Sequence, residues 1–129
     1  MKINCIHHVA IITDQYEASK HFYVNILGFN VVQEVYREAR NSYKLDLSIN
    51  GQYQIELFSF DDVAKRASYP EAKGLRHLAF EVDDVEAAVA HLQQHGVATE
   101  PIRIDEYSNK KFCFFYDPNG QPLELYASI

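Results

Sequence analysis

Long apolar runs and cysteines are scarce in this sequence of 129 residues, which has only two cysteines. No stretch approaches the roughly 20 consecutive apolar residues that a transmembrane helix needs. The first residues, Met1 to Asn4, lack the apolar segment and small-residue cleavage site of a secretory leader. We therefore expect a cytoplasmic protein that does not bind a membrane, with Cys5 and Cys113 as free thiols.

Positive charge is also in deficit. The sequence has 12 Lys and Arg against 18 Asp and Glu, for a net charge of −6. A negative excess opposes binding to nucleic acid and to anionic lipid surfaces, so we expect neither partner, although a local basic pocket is compatible with this charge. The apolar fraction of 47% suffices for a packed interior and is untypical of disordered chains. We predict one domain that covers residues 1–129.

What the sequence does contain is one pattern written twice. A histidine stands at an apolar strand near the start of each half, at His8 and His77. A glutamate lies in an equally apolar strand near the end of each half, at Glu56 and Glu124, and the interval from histidine to glutamate is nearly the same. Recurrence at a fixed spacing is the signature of an internal duplication.

The elements between these residues recur in the same order: strand, helix, strand, strand, strand. An aspartate followed three residues later by glutamate predicts a helix cap at Asp14 and at Asp83. A glycine ends each predicted helix, and an Asn-Gly turn precedes each last strand. We predict an α+β fold with module one over residues 4–60, a linker over 61–73 and module two over 74–128. The predicted strands span 6–13, 29–36, 43–49 and 53–58 in module one, and 74–82, 97–104, 111–116 and 122–127 in module two.

Strand alternation separates two faces of each predicted sheet. The aliphatic residues of the first and last strands share one face, which we expect to pack against the helix. The histidines and glutamates point to the other face, together with Ala10, Phe58 and Ala79. Because that face is partly apolar, we expect a curved sheet whose concave side forms a cup. A carboxylate inside such a cup needs a counter-charge or a metal ion.

Two imidazoles and two carboxylates are a suitable ligand set for a divalent transition metal such as Zn, Ni, Co, Mn or Fe. Four protein ligands on an octahedral ion leave two positions for water or substrate. We predict His8, Glu56, His77 and Glu124 as ligands. Taken singly, each residue is more often structural or solvated; their equivalent placement favours the metal. His7 is an alternative to His8, but the repeat aligns His8 with His77.

The sequence resembles the vicinal oxygen chelate superfamily, which contains glyoxalase I, extradiol dioxygenases and fosfomycin-resistance proteins. It is most similar to a subclass of small bacterial glyoxalase I-like metalloproteins. The resemblance implies paired βαβββ modules, a curved mixed sheet around a metal-binding cup, and the four ligands named above. The segments that carry it are VYREAR (35–40), GQYQIELFSF (51–60), GLRHLAF (74–80) and PLELY (122–126).

The resemblance to glyoxalase I implies a lyase or isomerase that acts on a small α-hydroxycarbonyl or thiol-adduct substrate through a metal-bound enediolate. It assigns Glu124 as the base that moves a proton between adjacent carbons. Two alternatives stay open: a ferrous iron-dependent ring-cleaving dioxygenase, a class that typically keeps two His and one Glu, and a non-catalytic small-molecule-binding protein. Superfamily members often form homodimers, and the metal site lies within one chain or across the dimer interface.

Basic side chains at equivalent places in the two modules are candidates for substrate binding. Arg37 and Arg103 are the best of them, because a guanidinium can hold a carboxylate or a phosphate with paired hydrogen bonds. The alternative is that these charges are solvated and discourage pairing at strand edges.

Overall fold

The computed structural model describes all residues from 1 to 129, and it contains a βαβββ element order twice. The chain divides into two compact units, Met1–Ala64 and Lys65–Ile129, and the division falls inside the predicted linker. The predicted α+β fold with repeated modules is confirmed.

The first unit contains β1 (Val9–Thr13), α1 (Tyr16–Lys20) with a π-helical extension (His21–Ile26), β2 (Asn30–Arg37), a 3₁₀ turn (Glu38–Arg40), β3 (Ser42–Ile49) and β4 (Gln52–Ser59). The second unit contains β5 (Leu78–Val82), α2 (Val85–Gln94), β6 (Arg103–Ile104), β7 (Lys111–Tyr116) and β8 (Pro122–Ala127).

Each unit has one mixed four-stranded sheet with the same strand order. The first sheet runs β1-β4-β3-β2 and the second runs β5-β8-β7-β6. The first strand of each unit pairs in parallel with the last, and the remaining pairs are antiparallel. The last strand is therefore a neighbour of the first, although a whole module of sequence separates them.

The helices pack on one face of each sheet, and this face is the predicted aliphatic one. In the first unit, Ile11, Ile55 and Leu57 are buried together with Phe22 and Tyr23 of the helix. Burial of each large apolar side chain is worth about 1.5–3 kcal/mol, so these faces are the main source of stability in each unit. The second unit buries Leu123, Leu125 and Phe115 of the sheet with Val85, Val89 and Leu92 of α2.

The helix caps lie one residue later than the sequence predicts. The cap of α2 is Asp84, whose side chain accepts a hydrogen bond from the backbone nitrogen of Ala87 at 2.9 Å. Asp83 instead accepts a bond from the hydroxyl of Ser128. The cap of α1 is Gln15, one residue after Asp14, and its side chain makes no capping bond. The repeat thus aligns the two caps, but only module two has a capping side chain.

Three strands are shorter than predicted. β1 begins at Val9, because its parallel ladder starts at Ile55 of β4, just after a bulge in that strand. β5 begins at Leu78, well after Gly74, whose φ of +125° is not extended backbone. β6 contains only two residues, because Pro101 lacks the N–H that a ladder requires.

Two expectations from composition can be compared with the structure directly. Both cysteines are free thiols, as predicted, with Cys5 exposed and Cys113 buried. None of the helices combines the length and the apolar character that crossing a membrane requires.

Candidate functional site

The parallel strand pair of each unit brings one histidine to one glutamate. In the first unit, Ala10 of β1 lies opposite Glu56 of β4. In the second unit, Ala79 of β5 lies opposite Glu124 of β8. Each histidine precedes its alanine by two residues and therefore projects to the same side as the glutamate.

The first pair is His8 and Glu56. The distance between His8 Nε2 and Glu56 Oε2 is 3.2 Å. The glutamate side chain is only 12% exposed, whereas that of His8 is 38% exposed. His7 lies beside this pair, with its Nδ1 at 2.8 Å from Nδ1 of His8. The histidine that faces the carboxylate is thus His8, which the repeat favours over His7 as a ligand.

A network of polar side chains surrounds Glu56. The Lys44 ammonium lies 3.2 Å from the Glu56 carboxylate and 2.6 Å from that of Asp46, and the Tyr53 hydroxyl donates a hydrogen bond to Glu56. Burial by itself raises the pKa of Glu56, but the bonds from Tyr53 and Lys44 outweigh it and hold this pKa below the ordinary glutamate value. Glu56 is therefore an anion that several donors hold in one position.

The second pair is His77 and Glu124. The distance from His77 Nε2 to Glu124 Oε2 is 3.0 Å. The His77 ring packs edge-on against Phe114, with 5.0 Å between ring centroids. Glu124 is 8% exposed, and His77 is its one side-chain partner within the protein. Glu124 is thus a buried carboxylate without the donors that restrain Glu56.

The neighbouring strand accounts for this difference between the pairs. Asp46 of β3 lies opposite Glu56, and Phe114 of β7 lies opposite Glu124. Two positions before these residues, β3 carries Lys44 where β7 carries Phe112. The surroundings of the glutamate are therefore charged in module one and aromatic in module two.

The sequence predicted neither the Lys44–Asp46 ion pair nor the Tyr53 hydrogen bond. A bulge shifts the register between Leu47 and Ser48 by one residue, and this shift places Asp46 opposite Glu56. Without the bulge, Asp46 would lie opposite Ile55, with no carboxylate to share a lysine. The alternation of Lys44 and Asp46 on one strand face was the available signal, but it does not fix the register.

Arg37 and Arg103, the predicted substrate-binding residues, both lie over aromatic rings of their own sheet. The Arg37 guanidinium carbon is 4.9 Å from the ring centroid of Phe58, and that of Arg103 is 4.9 Å from the ring centroid of Phe112. Arg37 donates to the hydroxyl of Ser42 at 2.9 Å, while its Nε is buried without a hydrogen-bond partner. Arg37 is partly buried, whereas the Arg103 side chain is 53% exposed and lies on the edge strand β6.

Comparison with known proteins adds to this geometry. Residues 5–125 match the family described as the glyoxalase/bleomycin resistance protein/dioxygenase superfamily. The chain belongs to this superfamily. The predicted resemblance is thereby confirmed over almost the whole sequence, as is the fold that it implied.

Within the superfamily, the relatives are similar over their full lengths. The uncharacterized protein YaeR of Escherichia coli strain K12 is 62% identical over 121 residues, which are 94% of each chain. The uncharacterized protein YwkD of Bacillus subtilis strain 168 is 59% identical over 98% of each chain. The crystal structure of a glyoxalase family protein from Enterococcus faecalis is 49% identical, with a TM-score of 0.91 over 98% of this chain and 99% of that one.

More distant members of the superfamily differ in their chemistry. Catechol-2,3-dioxygenase of Bacillus subtilis strain 168 is 27% identical over 86% of this chain and 37% of its own length. The fosfomycin resistance protein FosX of Listeria monocytogenes, solved in complex with Mn(II) and sulfate, is 20% identical. Its TM-score is 0.75 over 99% of this chain and 95% of that one, a likeness of fold.

The donor atoms of the two His–Glu pairs can be compared with the needs of a metal ion. Each pair offers one imidazole nitrogen and one carboxylate oxygen, which are the donor types that divalent transition metals take. No group of three or more His, Cys, Asp or Glu side chains is placed to hold a metal ion. Each pair therefore fits half of a four-ligand set, and neither is a complete site alone.

Proposed function

We propose that this protein is a divalent-metal-dependent, glyoxalase I-like lyase or isomerase. Its substrate would be a small α-hydroxycarbonyl compound or thiol adduct. The observation that carries this proposal is the repeated pair: in each module, a histidine nitrogen faces a largely buried glutamate across a parallel strand pair. The full set of two His and two Glu favours the glyoxalase type of site over the dioxygenase type. The Mn(II) complex of FosX supports a divalent metal in this superfamily.

We assign His8, Glu56, His77 and Glu124 as the ligands of one metal ion. Imidazole suits Zn, Ni, Co and Fe, and carboxylate extends the range to Mn. When bound, such an ion supplies Lewis acidity toward the two oxygen atoms of an α-hydroxycarbonyl group. The two glutamates differ in their side-chain partners, and this difference supports separate roles for them.

Glu124 is the better candidate for the base. A base must take a proton from one carbon and return it to the adjacent carbon, so its carboxylate must be able to move and to change its protonation state. Glu124 is held by His77 alone, whereas Glu56 is held by Lys44, Tyr53 and His8. We therefore assign proton transfer to Glu124 and a fixed ligand role to Glu56.

Arg37 and Arg103 complete the proposal as substrate-binding residues. Each guanidinium carbon lies 4.9 Å from the centroid of an aromatic ring, a contact that uses none of the N–H donors. Ser42 occupies only an Nη2 donor of Arg37, which leaves Nη1 for a further acceptor, while Nε is buried. A carboxylate or phosphate of the substrate is the group that such donors would bind.

Metal content is the first test. Purified protein, stripped and then reloaded with Ni, Zn, Co, Mn or Fe, should bind one ion per chain, measured by elemental analysis and calorimetry. Loaded protein should then isomerise the hemithioacetal of methylglyoxal. Two ions per chain would show that the two pairs act separately, and oxygen uptake with a catechol would identify a dioxygenase instead. Stoichiometric ligand binding without turnover would identify a binding protein.

Glu124→Gln tests the assignment of the base. The amide keeps an oxygen donor for the metal but cannot accept the proton, so turnover should fall by roughly 100-fold or more. Metal should remain bound at a level that elemental analysis detects. Glu56→Gln is the matched variant, and it should weaken metal binding more than it lowers kcat of the fully loaded protein. Wild-type turnover in Glu124→Gln would contradict the assignment.

We also propose a homodimer, as is frequent among members of this superfamily. Light scattering coupled to size-exclusion chromatography should give twice the chain mass of 14.9 kDa. If the metal ligands come from two chains, dilution to the monomer should release the metal. Retention of metal by a demonstrated monomer would place all four ligands in one chain.

A further inference from the structure

The second unit contains a cavity that the predicted ligands do not line. Its volume is about 200 Å³. Three arginines line it, Arg66, Arg76 and Arg103, and three aromatic side chains lie among them, Tyr69, Phe114 and Tyr116. Three guanidinium groups around one small cavity are unusual in a chain whose net charge is −6. Two glutamates, Glu71 and Glu100, also line the cavity, so the arginines exceed the carboxylates by one charge.

Arg66 has a structural role at one wall of the cavity. Its Nη2 donates to the carbonyl oxygens of Leu75 and Arg76 at 2.7 and 2.8 Å, and its Nε donates to Gln121 at 3.2 Å. Its Nη1 donates to the hydroxyl of Ser68 and the carbonyl oxygen of Ala67. All five N–H groups of Arg66 are thus used within the protein, and this side chain contributes charge without donors for a ligand.

Arg103 and Arg76 have donors left over. Arg103 approaches Glu100 only through Nη2, at 3.8 Å, and Arg76 approaches Glu71 only through Nε, at 3.5 Å. Both distances exceed that of a direct hydrogen bond, and these exposed pairs hold their partners weakly. Glu100 is also drawn to one side by the hydroxyl of Tyr116, at 2.7 Å. Nε and Nη1 of Arg103 and Nη2 of Arg76 make no hydrogen bond within the protein.

The cavity adjoins the second His–Glu pair. Phe114 lines the cavity and also packs against the ring of His77. Arg76 precedes His77, and its Nη1 lies 3.3 Å from Nδ1 of that ring. A molecule bound in the cavity would therefore lie one side chain away from His77.

We propose that this cavity binds the anionic group, a carboxylate or a phosphate, of a small molecule through Arg76 and Arg103. Charge-assisted hydrogen bonds from two guanidinium groups are the chemistry that recognises such anions. Arg66 holds the loop that carries Arg76 and adds the third positive charge, so that three arginines outweigh Glu71 and Glu100. That this anion belongs to the substrate rests on the proposed function; the binding of an anion does not.

The test uses metal-free protein, so that it is independent of any metal-dependent activity. Uniformly ¹⁵N-labelled protein at low chloride is titrated with inorganic phosphate, and separately with acetate, and amide and arginine side-chain signals are followed. We expect saturable shifts at Phe114, Tyr116 and Arg103 with at least one of the two anions. The anion that binds more tightly identifies the group that the cavity prefers.

Three substitutions locate the site. Arg76→Gln and Arg103→Gln should each weaken binding roughly tenfold or more, because each removes a charged donor. Arg103→Lys should retain part of the affinity, which separates loss of charge from loss of fold. Arg40→Gln is the matched control, since Arg40 is exposed and does not line the cavity, and it should bind as the wild type does.

Two results would overturn the proposal: no saturable shift with either anion, or the same loss of affinity in Arg40→Gln as in Arg103→Gln. Either result would leave metal binding and isomerisation untouched, because those are measured on the loaded protein. Conversely, anion binding with no metal-dependent turnover would overturn the proposed function and leave the anion site in place.

Discussion

Lys44 is the positive side chain that pairs with two carboxylates of module one. Its ammonium group contacts both Asp46, which is 5% exposed, and Glu56. Glu56 lies directly opposite Asp46 on the next strand. The hydrogen bond to Asp46 is the largest of the influences that raise the pKa of Lys44, so the lysine stays charged. Two carboxylates can share this face of the sheet because one ammonium group neutralises both in part.

Removal of Lys44 should therefore cost more than removal of a surface lysine. Lys44→Met leaves two poorly solvated carboxylates facing each other, and we expect a loss of about 2 kcal/mol in the free energy of unfolding. Urea denaturation at neutral pH measures this loss. Lys111→Met is the control, because the Lys111–Glu86 pair is half exposed and solvent screens it, so its loss should be much smaller. Equal losses in the two variants would contradict the claim that Lys44 stabilises the fold more than a surface lysine does.

At the scale of elements, the two helices begin differently although their sequences align. In the first turn of α2, the N–H of Ala87 donates to the Asp84 carboxylate, whereas no side chain caps the start of α1. Module two has thus kept a local start signal that module one lacks. The first helix must depend more on its packing, through buried Phe22, Tyr23 and Ile26.

Asp84→Ala should consequently destabilise the protein by about 1 kcal/mol, the usual value of an N-cap. Asp83→Ala removes only a long surface hydrogen bond to Ser128 and should cost well under that amount. Thermal or urea unfolding of the two variants decides between the adjacent aspartates. A larger loss for Asp83→Ala would restore the cap to the position that the sequence pattern predicts.

Glu34 links the first helix to the edge strand β2, and this link depends on pH. The hydrogen bonds from Lys20, at 2.7 Å, and from Tyr16 hold the pKa of Glu34 below the ordinary glutamate value. A carboxyl group whose pKa is lowered by folding stabilises the folded state above its unfolded pKa. That contribution is lost as the pH falls through the lowered folded pKa.

The expected pH effect is small, because both side chains are about one-third exposed to solvent. Glu34→Gln should lower the free energy of unfolding at neutral pH by less than about 1 kcal/mol, and this difference should vanish as the pH falls through the lowered pKa of Glu34. Urea titrations at several pH values measure the convergence. Glu38→Gln, which removes an exposed carboxylate without an ion pair, should show no such convergence; a constant deficit in Glu34→Gln would contradict the linkage.

The sequence predicts element order well and element boundaries less well, for local reasons. Alternating aliphatic residues and Asn-Gly turns are strong signals, and they led to β3, β4, β7 and β8 with nearly correct ends. The bulge near Ser48 and the cap at Asp84 depend on pairing between strands and on single backbone angles. Neither leaves a mark in composition or spacing, so the cap was predicted one residue out of place and the bulge was not predicted.

The same limit applies to the candidate site. The two His–Glu pairs were predictable because the duplication repeats them, and strand parity fixes the face on which they lie. The Lys44 network and the arginine cavity occur in one module each, so the repeat carries no signal for them. What distinguishes the modules is therefore found only once the register of each sheet is known.

At the scale of the whole molecule, the two modules share a fold but differ in what surrounds their glutamates. Module one restrains its glutamate with charged neighbours, and module two surrounds its glutamate with aromatic rings and places an arginine-lined cavity beside it. The acidic net charge keeps other anions away from most of the surface, while the cavity of module two offers a local exception. Under the proposed function, the substrate would carry a carbonyl at one end and an anionic group at the other.

The five hydrogen bonds of Arg66 also affect where proteases can cleave the chain. Trypsin must draw a basic side chain into its own binding pocket, and Arg66 cannot enter that pocket without leaving every partner it has. Lys65 and Lys73 are exposed and carry no such bonds. Brief digestion should therefore cut after Lys65 or Lys73 and leave the bond after Arg66 intact, as mass spectrometry of the first fragments would reveal. A segment without helix or strand is in this way protected at one point by a single side chain.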